Sequence, residues 1–189
     1  QGKVFIGGTL GVAINDNETD SNGNTFKNSS HRGYTIMPSV HYMFADNWSV
    51  GLGLGYEYNK TLSAGDYTWN KMFSFQPTVN YFLRLGDRFY YNPSVFVGFG
   101  FGDNTYTARK DAGIDPIDDT RIEAGIRPLS FEYRATPHIG LNIGFGDISY
   151  THTKSKGKGD SGANTIETKA SDFNFSVTDN INVTFRYYF

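Results

Sequence analysis

The feature that most constrains this chain is a strict two-residue alternation that returns along most of its length. From Trp48 to Asn59 the even positions read Trp48, Val50, Leu52, Leu54, Tyr56 and Tyr58, while the odd ones read Ser49, Gly51, Gly53, Gly55, Glu57 and Asn59. Successive side chains of a strand point to opposite faces, so this segment is a strand with one bulky apolar face and one small polar face. The stretch Phe73 to Leu85 repeats the pattern, as do Phe89 to Gly102 and copies starting at Val4 and Tyr34. The last copy runs through Phe173, Phe175, Val177, Ile181, Val183 and Phe185 to Tyr187 and Phe189, broken only at Asp179. Two further segments are less regular: Arg121 to Ala135 shows its apolar face only at Leu129, Phe131 and Tyr133, and His138 to His152 changes phase near Asp147. A β-bulge is expected in each.

The expected strands are 3–15, 33–44, 48–59, 70–85, 88–102, 121–135, 138–152 and 171–189. They occupy roughly three-fifths of the chain, far above the strand content of an ordinary globular domain. Closure into a barrel tolerates this, because it leaves no free strand edge. The expectation is therefore all-β, a single domain over 1–189 formed by an eight-stranded antiparallel up-and-down barrel. Turns after the second, fourth and sixth strands are two or three residues long, whereas 16–32, 60–69, 103–120 and 153–170 read as long polar loops. The Gly, Ser, Asn and Lys content of 16–32, 103–120 and 153–170 predicts segments that are mobile or only partly strand-like.

The polar face identifies the solvent of the apolar one. A soluble barrel with a lined cavity would expose a face rich in Lys, Arg, Asp and Glu. Here that face is mostly Gly, Ser, Thr and Asn, and only 19% of the chain is charged at a mean hydropathy near −0.45. An inverted barrel fits, with the apolar face toward lipid and small polar residues filling a narrow lumen. Outward aromatics gather at both strand ends, with Phe44, Trp48, Tyr81, Phe89, Tyr133, Tyr187 and Phe189 at one and Tyr34, Tyr56, Tyr58, Phe101 and Tyr150 at the other. Paired aromatic girdles suit the two lipid interfaces.

Composition excludes other classes. A formal net charge of −2 offers no electrostatic basis for nucleic-acid binding. The lack of Cys removes disulfides, thiolate metal sites and thiol catalysis. The longest apolar run, Tyr42 to Ala45, is far too short for a membrane-spanning helix.

With its alternating strands, unequal connections and terminal Phe185-Arg186-Tyr187-Tyr188-Phe189, the chain resembles the small eight-stranded outer-membrane barrel proteins of Gram-negative bacteria, the group containing OmpX and the OmpA transmembrane domain. The resemblance implies a multi-pass outer-membrane location, with termini and short turns in the periplasm and long loops outside the cell. It also implies that Phe185, Tyr187 and Phe189 form the signal read by the outer-membrane assembly machinery, and that Gln1 is a mature N-terminus after signal-peptide removal. Expected partners are outer-membrane lipid and lipopolysaccharide, that assembly machinery and an unidentified extracellular partner, with the barrel itself a monomer. The leading function is a non-enzymatic surface barrel. A narrow channel or a lipid A-modifying enzyme is the alternative.

Candidate chemistry is sparse, and no cofactor or metal is expected. By alternation Arg84, Glu132 and Arg186 lie on the lumen face near the short-turn end, where they form an expected charge network and plug, with His41, Asn92 or His138 at its edge. Glu57 lies at the other end of its strand and needs a separate partner or water. On the outer rim, Asp111, Asp115, Asp118 and Asp119 oppose Lys154, Lys156 and Lys158, which either pair with them or hold lipopolysaccharide phosphates. Asp20, Asn22 and Asn24 have calcium-loop spacing, but Thr25 and His31 stand where the loop needs Gly and Glu. The Gly157–Gly162 string matches a phosphate-binding motif without the strand and helix that motif requires. His152, with Ser149 and Ser155 nearby in sequence, is the one outer-rim His available for hydrolytic chemistry.

Overall fold

A computed structural model describes residues 2–21, 24–63, 66–158 and 165–189. The chain enters through β1 (Val4–Ser21), β2 (Asn24–Ala45), β3 (Trp48–Ser63) and β4 (Asp66–Tyr81). It continues as β5 (Leu83–Arg84), β6 (Phe89–Tyr91), β7 (Ser94–Tyr106) and a short helix α1 (Thr107–Asp111). It ends with β8 (Ile117–Arg127), β9 (Leu129–Arg134), β10 (Ile139–Lys158) and β11 (Thr165–Tyr188). These eleven strands form one antiparallel sheet in the order β11-β1-β2-β3-β4-β7-β8-β10-β9-β6-β5, and a further β10–β11 pairing closes it on itself. Within the ring β11-β1-β2-β3-β4-β7-β8-β10 every strand has a partner on each side, while β9, β6 and β5 branch from β10 and, among the described residues, β5 pairs with β6 alone.

Strand segments and expected spans differ in an informative way. Three expected strands are each divided: 70–85 into β4 and β5, 88–102 into β6 and β7, and 121–135 into β8 and β9. The breaks fall at Phe82, at Asn92-Pro93 and at Pro128, and two of the three contain a residue with no N–H to donate. The other two strand prolines act more locally. Pro38 keeps its register with Gly8 of β1, while the β2–β3 ladder skips from Ile36 to Ser39. Pro77 keeps its register with Leu52 of β3, while the β4–β7 ladder skips from Phe75 to Thr78. Each proline thus turns its missing donor toward a gap on one side only.

Of the two expected bulges, one is present. The β10–β11 register shifts between Phe145 and Asp147, and Gly146 between them has φ 61°, a conformation that costs other residues strain. The irregularity of 121–135 is instead the break at Pro128.

The expected loops 16–32, 60–69 and 153–170 are corrected by the structure. Strand pairing continues to Ser21 opposite Asn24, to Ser63 opposite Asp66 and to Lys158 opposite Thr165. In these segments apolar alternation gives way to Ser, Thr, Asn and Lys, and pairing in the ladder supplies partners for the backbone donors and acceptors. Segment 103–120 is likewise ordered into the end of β7, α1 and the start of β8.

The apolar residues lie on the outside. Trp48, Val50, Leu52 and Leu54 are exposed, and Tyr56 and Tyr58 pack on the same face against Tyr34 at ring separations of 6.0 and 5.4 Å. Leu10, Val12, Phe73, Phe173 and Phe185 are each about two-thirds exposed, which no water-facing surface accommodates as a continuous belt. The buried residues are mostly polar: Ser49, Asn80, Asn92, Ser130, Glu132, Asn142 and Arg186. The buried apolar cluster is small, consisting of Phe5, Met43, Phe82 and Tyr188 with Tyr90 against it.

Candidate functional site

The lumen is built in layers from the end that holds the chain termini. At the bottom Phe5 of β1 stacks on His41 of β2, with centroids 4.5 Å apart and planes within 2°, and meets Tyr188 at 4.8 Å and Phe82 edge-on at 6.0 Å. Gly51 of β3 makes room for His41, since a Cβ there would overlap its imidazole Nδ1. Two cations lie over these rings. The Arg186 guanidinium is 5.3 Å from the Phe5 ring, and that of Arg134 is 4.3 Å from Tyr90 and 4.4 Å from Tyr188.

Above them sits a carboxylate clasp. Glu132 is fully buried, and its Oε2 accepts a hydrogen bond from Arg186 Nη1. Its Oε1 accepts from Arg134 Nε at 2.7 Å and from the Tyr188 hydroxyl at 2.6 Å. Arg186 Nη1 also donates to Asn92 Oδ1 at 2.7 Å, which accepts from Asn142 Nδ2 at 3.3 Å as well. The Asn92 side-chain amide donates to the Tyr81 carbonyl at 2.9 Å, and its backbone N–H donates to the Ser130 carbonyl at 2.7 Å. Asn92 therefore joins the clasp to the seam where β4 and β7 are interrupted. A buried carboxylate needs this saturation, because isolated charge in such a lumen costs several kcal/mol.

Sequence alternation brings together Glu132, Arg186 and Asn92 with His41 in the layer beneath, while Arg84 is placed elsewhere. Arg84 follows the break at Phe82, is 63% exposed, and bonds Asp87 at 2.9 Å and the Gly86 carbonyl at 3.0 Å. Its parity is kept, since Arg84 is opposite Tyr90 and Tyr90 is opposite Glu132, but its flexible side chain turns out of the barrel end to the Gly86–Asp87 turn. His138 also lies outside the clasp, donating from Nδ1 to the Tyr188 carbonyl at 2.8 Å. The partners that alternation should have supplied are Arg134 and Tyr188, which share parity with Glu132 and Arg186 two residues on.

Toward the other end the lumen holds two small cavities of about 100 and 150 Å³, both bordered by Met37, Gln76 and Arg127. The Arg127 guanidinium stacks 4.2 Å from the buried Phe96 ring. Glu57 finds its separate partner in Arg121, at 3.0 Å, and also accepts from Asn59 at 2.6 Å. Higher still, Asp119 is buried and accepts from Asn70 at 3.3 Å.

The rim acids and lysines are brought together in part. Lys158 lies 3.7 Å from Asp115, while Lys154 and Lys169 each lie 3.1 Å from Glu167. In the β8–β10 ladder, Lys156 is opposite Asp118 and Ser155 opposite Asp119. Asp111 ends α1. Buried Arg109 is a residue that sequence reasoning misses; it donates from Nε to the Asp115 carbonyl at 2.7 Å and from Nη2 to the Lys158 carbonyl, tying α1 to β10. His152 faces outward and pairs with Ser171 at 2.9 Å, whereas Ser149 is buried in the lumen on Asp147 at 2.8 Å. The His and Ser of the hydrolytic alternative are thus on opposite faces of β10. The Asp20-Asn22-Asn24 spacing and Gly159–Gly162 lie outside the residues whose side chains are described. Phe185, Tyr187 and Phe189 all lie exposed on the outer surface.

An inverted antiparallel barrel with an exposed apolar belt and a polar, clasped lumen defines an outer-membrane barrel protein. The chain belongs to the outer membrane protein β-barrel domain family, whose profile matches residues 1–189. It is similar in fold to the outer membrane protein OprG from Pseudomonas aeruginosa, with a TM-score of 0.53 at 21% identity, covering 100% of this chain and 96% of that one. A major outer membrane protein from Thermus thermophilus gives a TM-score of 0.54 at 16% identity, covering 99% and 98%. No curated protein matches the chain. It is an outer-membrane protein of the Gram-negative type.

Proposed function

We propose that the chain is an eight-stave barrel, closed by side chains at the end holding its termini, which acts at the cell surface through its long hairpins and neither conducts nor catalyses. Joining β4 to β5, β6 to β7 and β8 to β9 across their short breaks turns eleven segments into eight staves. The termini and short turns face the periplasm and the hairpins face outward. The single observation that carries this reading is the clasp: Glu132, Arg186, Arg134, Tyr188 and Asn92 hydrogen-bond across the lumen directly above buried Phe5 and Phe82. Cavities of about 100 and 150 Å³ above it are too small for a continuous wide water path.

The barrel is read as a monomer in contact with outer-membrane lipid, lipopolysaccharide and, through Phe185, Tyr187 and Phe189, the assembly machinery. Its extracellular partner is a surface contact made by the hairpin tips. The test is twofold: planar-bilayer recording of the refolded chain should give no stepwise current, and lipid A mass spectra should be the same with and without it. Reproducible single-channel steps would replace this reading with a narrow channel, and a mass change in lipid A would replace it with an enzyme.

A further inference from the structure

We infer that the lower of the two lumen cavities, the one next to the clasp, binds a small monovalent anion on the Arg127 guanidinium. The inference goes beyond the proposed surface role and holds whichever end of the barrel faces outward. This cavity has a volume of about 100 Å³. Several water-sized positions fit into that space, enough for chloride or nitrate and too little for a sugar acid. Its charged and titratable lining consists of Arg127, Arg186 and His41, and among the described residues no Asp or Glu borders it. Glu57 and Glu123 instead border the upper cavity, Asp147 accepts from Ser149, and Glu132 is held within the clasp.

Arg127 supplies the net charge of this cavity. Arg186 is neutralised by Glu132, whereas no carboxylate among the described residues lies within ion-pair distance of Arg127. The Arg127 guanidinium stacks 4.2 Å from Phe96 and reaches Gln76 Oε1 only at 3.5 Å, and Glu123 and Asp147 act on it at longer range. A guanidinium held by one ring and one long hydrogen bond keeps most of its N–H donors for a further acceptor. A cation without a close counter-charge is costly in a narrow lumen, and a bound anion removes that cost.

Other parts of the wall offer hydroxyl hydrogens. Asn80 Nδ2 can only donate, so at 3.3 Å it fixes His41 Nδ1 as an acceptor and puts the ring hydrogen on Nε2. Nε2 then donates to Ser39 Oγ at 3.2 Å, which leaves the Ser39 hydrogen for the cavity. The Thr9 and Thr184 hydroxyls are 3.1 Å apart, so one donates to the other and the second keeps its hydrogen, again at the lining. Guanidinium and hydroxyl donors with no competing carboxylate suit an anion and reject a cation. One positive charge without a close partner matches one negative charge, which commits the site to a monovalent anion. The upper cavity shares Met37, Gln76 and Arg127 with the lower one, so Arg127 stands between the two.

The test uses the full chain refolded in a non-ionic detergent with sodium gluconate as the background salt, an anion too large for the cavity. Added chloride should show saturable excess broadening of its NMR line, and nitrate should displace it while further gluconate should not. Arg127→Gln should weaken the half-saturation about tenfold, and Arg127→Lys should retain it. Gly144→Val tests the space instead of the charge. A Cβ at Gly144 keeps 3.8 Å from Ser130 Oγ, so the wall accepts it, while the added methyl groups occupy the cavity and should abolish binding with Arg127 intact. Heat-modified electrophoretic mobility checks that each variant is folded, and chloride should raise the unfolding midpoint of the parent but not that of Arg127→Gln. Broadening that does not saturate, that is equal in Arg127→Gln, that is unchanged in Gly144→Val, or that gluconate removes as well as nitrate does, overturns the site.

Discussion

Asn92 and Arg186, 94 residues apart in the chain, meet inside the lumen with Arg186 Nη1 donating to Asn92 Oδ1 at 2.7 Å. The contact couples two problems that the fold must solve together. Pro93 ends the β6 segment and Phe82 interrupts the neighbouring stave, leaving backbone groups without ladder partners. Asn92 repairs the seam with its amide while orienting the cation that neutralises Glu132.

Replacing Asn92 should therefore harm both. Asn92→Leu removes an acceptor from Arg186 and a donor from the Tyr81 carbonyl. Arg186 keeps Glu132, so the Tyr81 carbonyl is the group that loses its side-chain donor, and a loss of about 1–3 kcal/mol is expected. The check is the temperature at which the compact band disappears in heat-modified electrophoresis, and an unchanged midpoint would show that the seam needs no side-chain repair.

Glu132→Gln should cost more, because it leaves Arg186 and Arg134 facing each other with a neutral amide between them. Removing one partner of a buried ion pair typically costs about 3–5 kcal/mol. The unfolding midpoint should fall well below that of Asn92→Leu, and bilayer recordings should remain silent because Phe5, Phe82 and Tyr188 still fill the section. A double variant, Glu132→Gln with Arg186→Met, should recover part of the loss.

These residues show how far the sequence could be read. Alternation assigned the lipid face and placed Glu132 and Arg186 on the same lumen wall, because period two survives wherever one face meets lipid. It gave Arg84 the same face as Tyr90 and Glu132 but not its partners, since alternation does not tell that a long side chain at the barrel end turns back to Gly86 and Asp87. It stopped β1, β2, β3, β4, β10 and β11 short, since above the membrane their ladders continue with Ser, Thr, Asn and Lys on both faces. Arg109 had no local signal at all; its burial follows from α1 folding against the end of β10.

Gly51→Ala tests the bottom layer. The added methyl would overlap the imidazole of His41, which stacks on Phe5. The ring has to leave that stack, so a loss of about 1–3 kcal/mol is expected, as for an overpacked core. Combining it with His41→Ser should restore much of the midpoint. If Gly51→Ala alone unfolds at the parent temperature, His41 is not confined as described.

The rim offers a pH-dependent counterpart to the lumen. Hydrogen bonds from Lys154 and Lys169 hold the Glu167 carboxyl below its ordinary value of 4.5. The folded hairpin therefore favours ionised Glu167, and its contribution to ordering is complete above that ordinary value and lost as pH falls through the lower, folded-state one. Glu167 is exposed, so the effect is local and weakened by salt. Amide-exchange protection factors near Thr153–Lys158 and Thr165–Ala170 should drop on acidification, while those around Leu141 and Ile143 hold. In Glu167→Gln the outer segment should start at the low value and respond no further to acid; equal acid sensitivity in that variant would assign the change to another group.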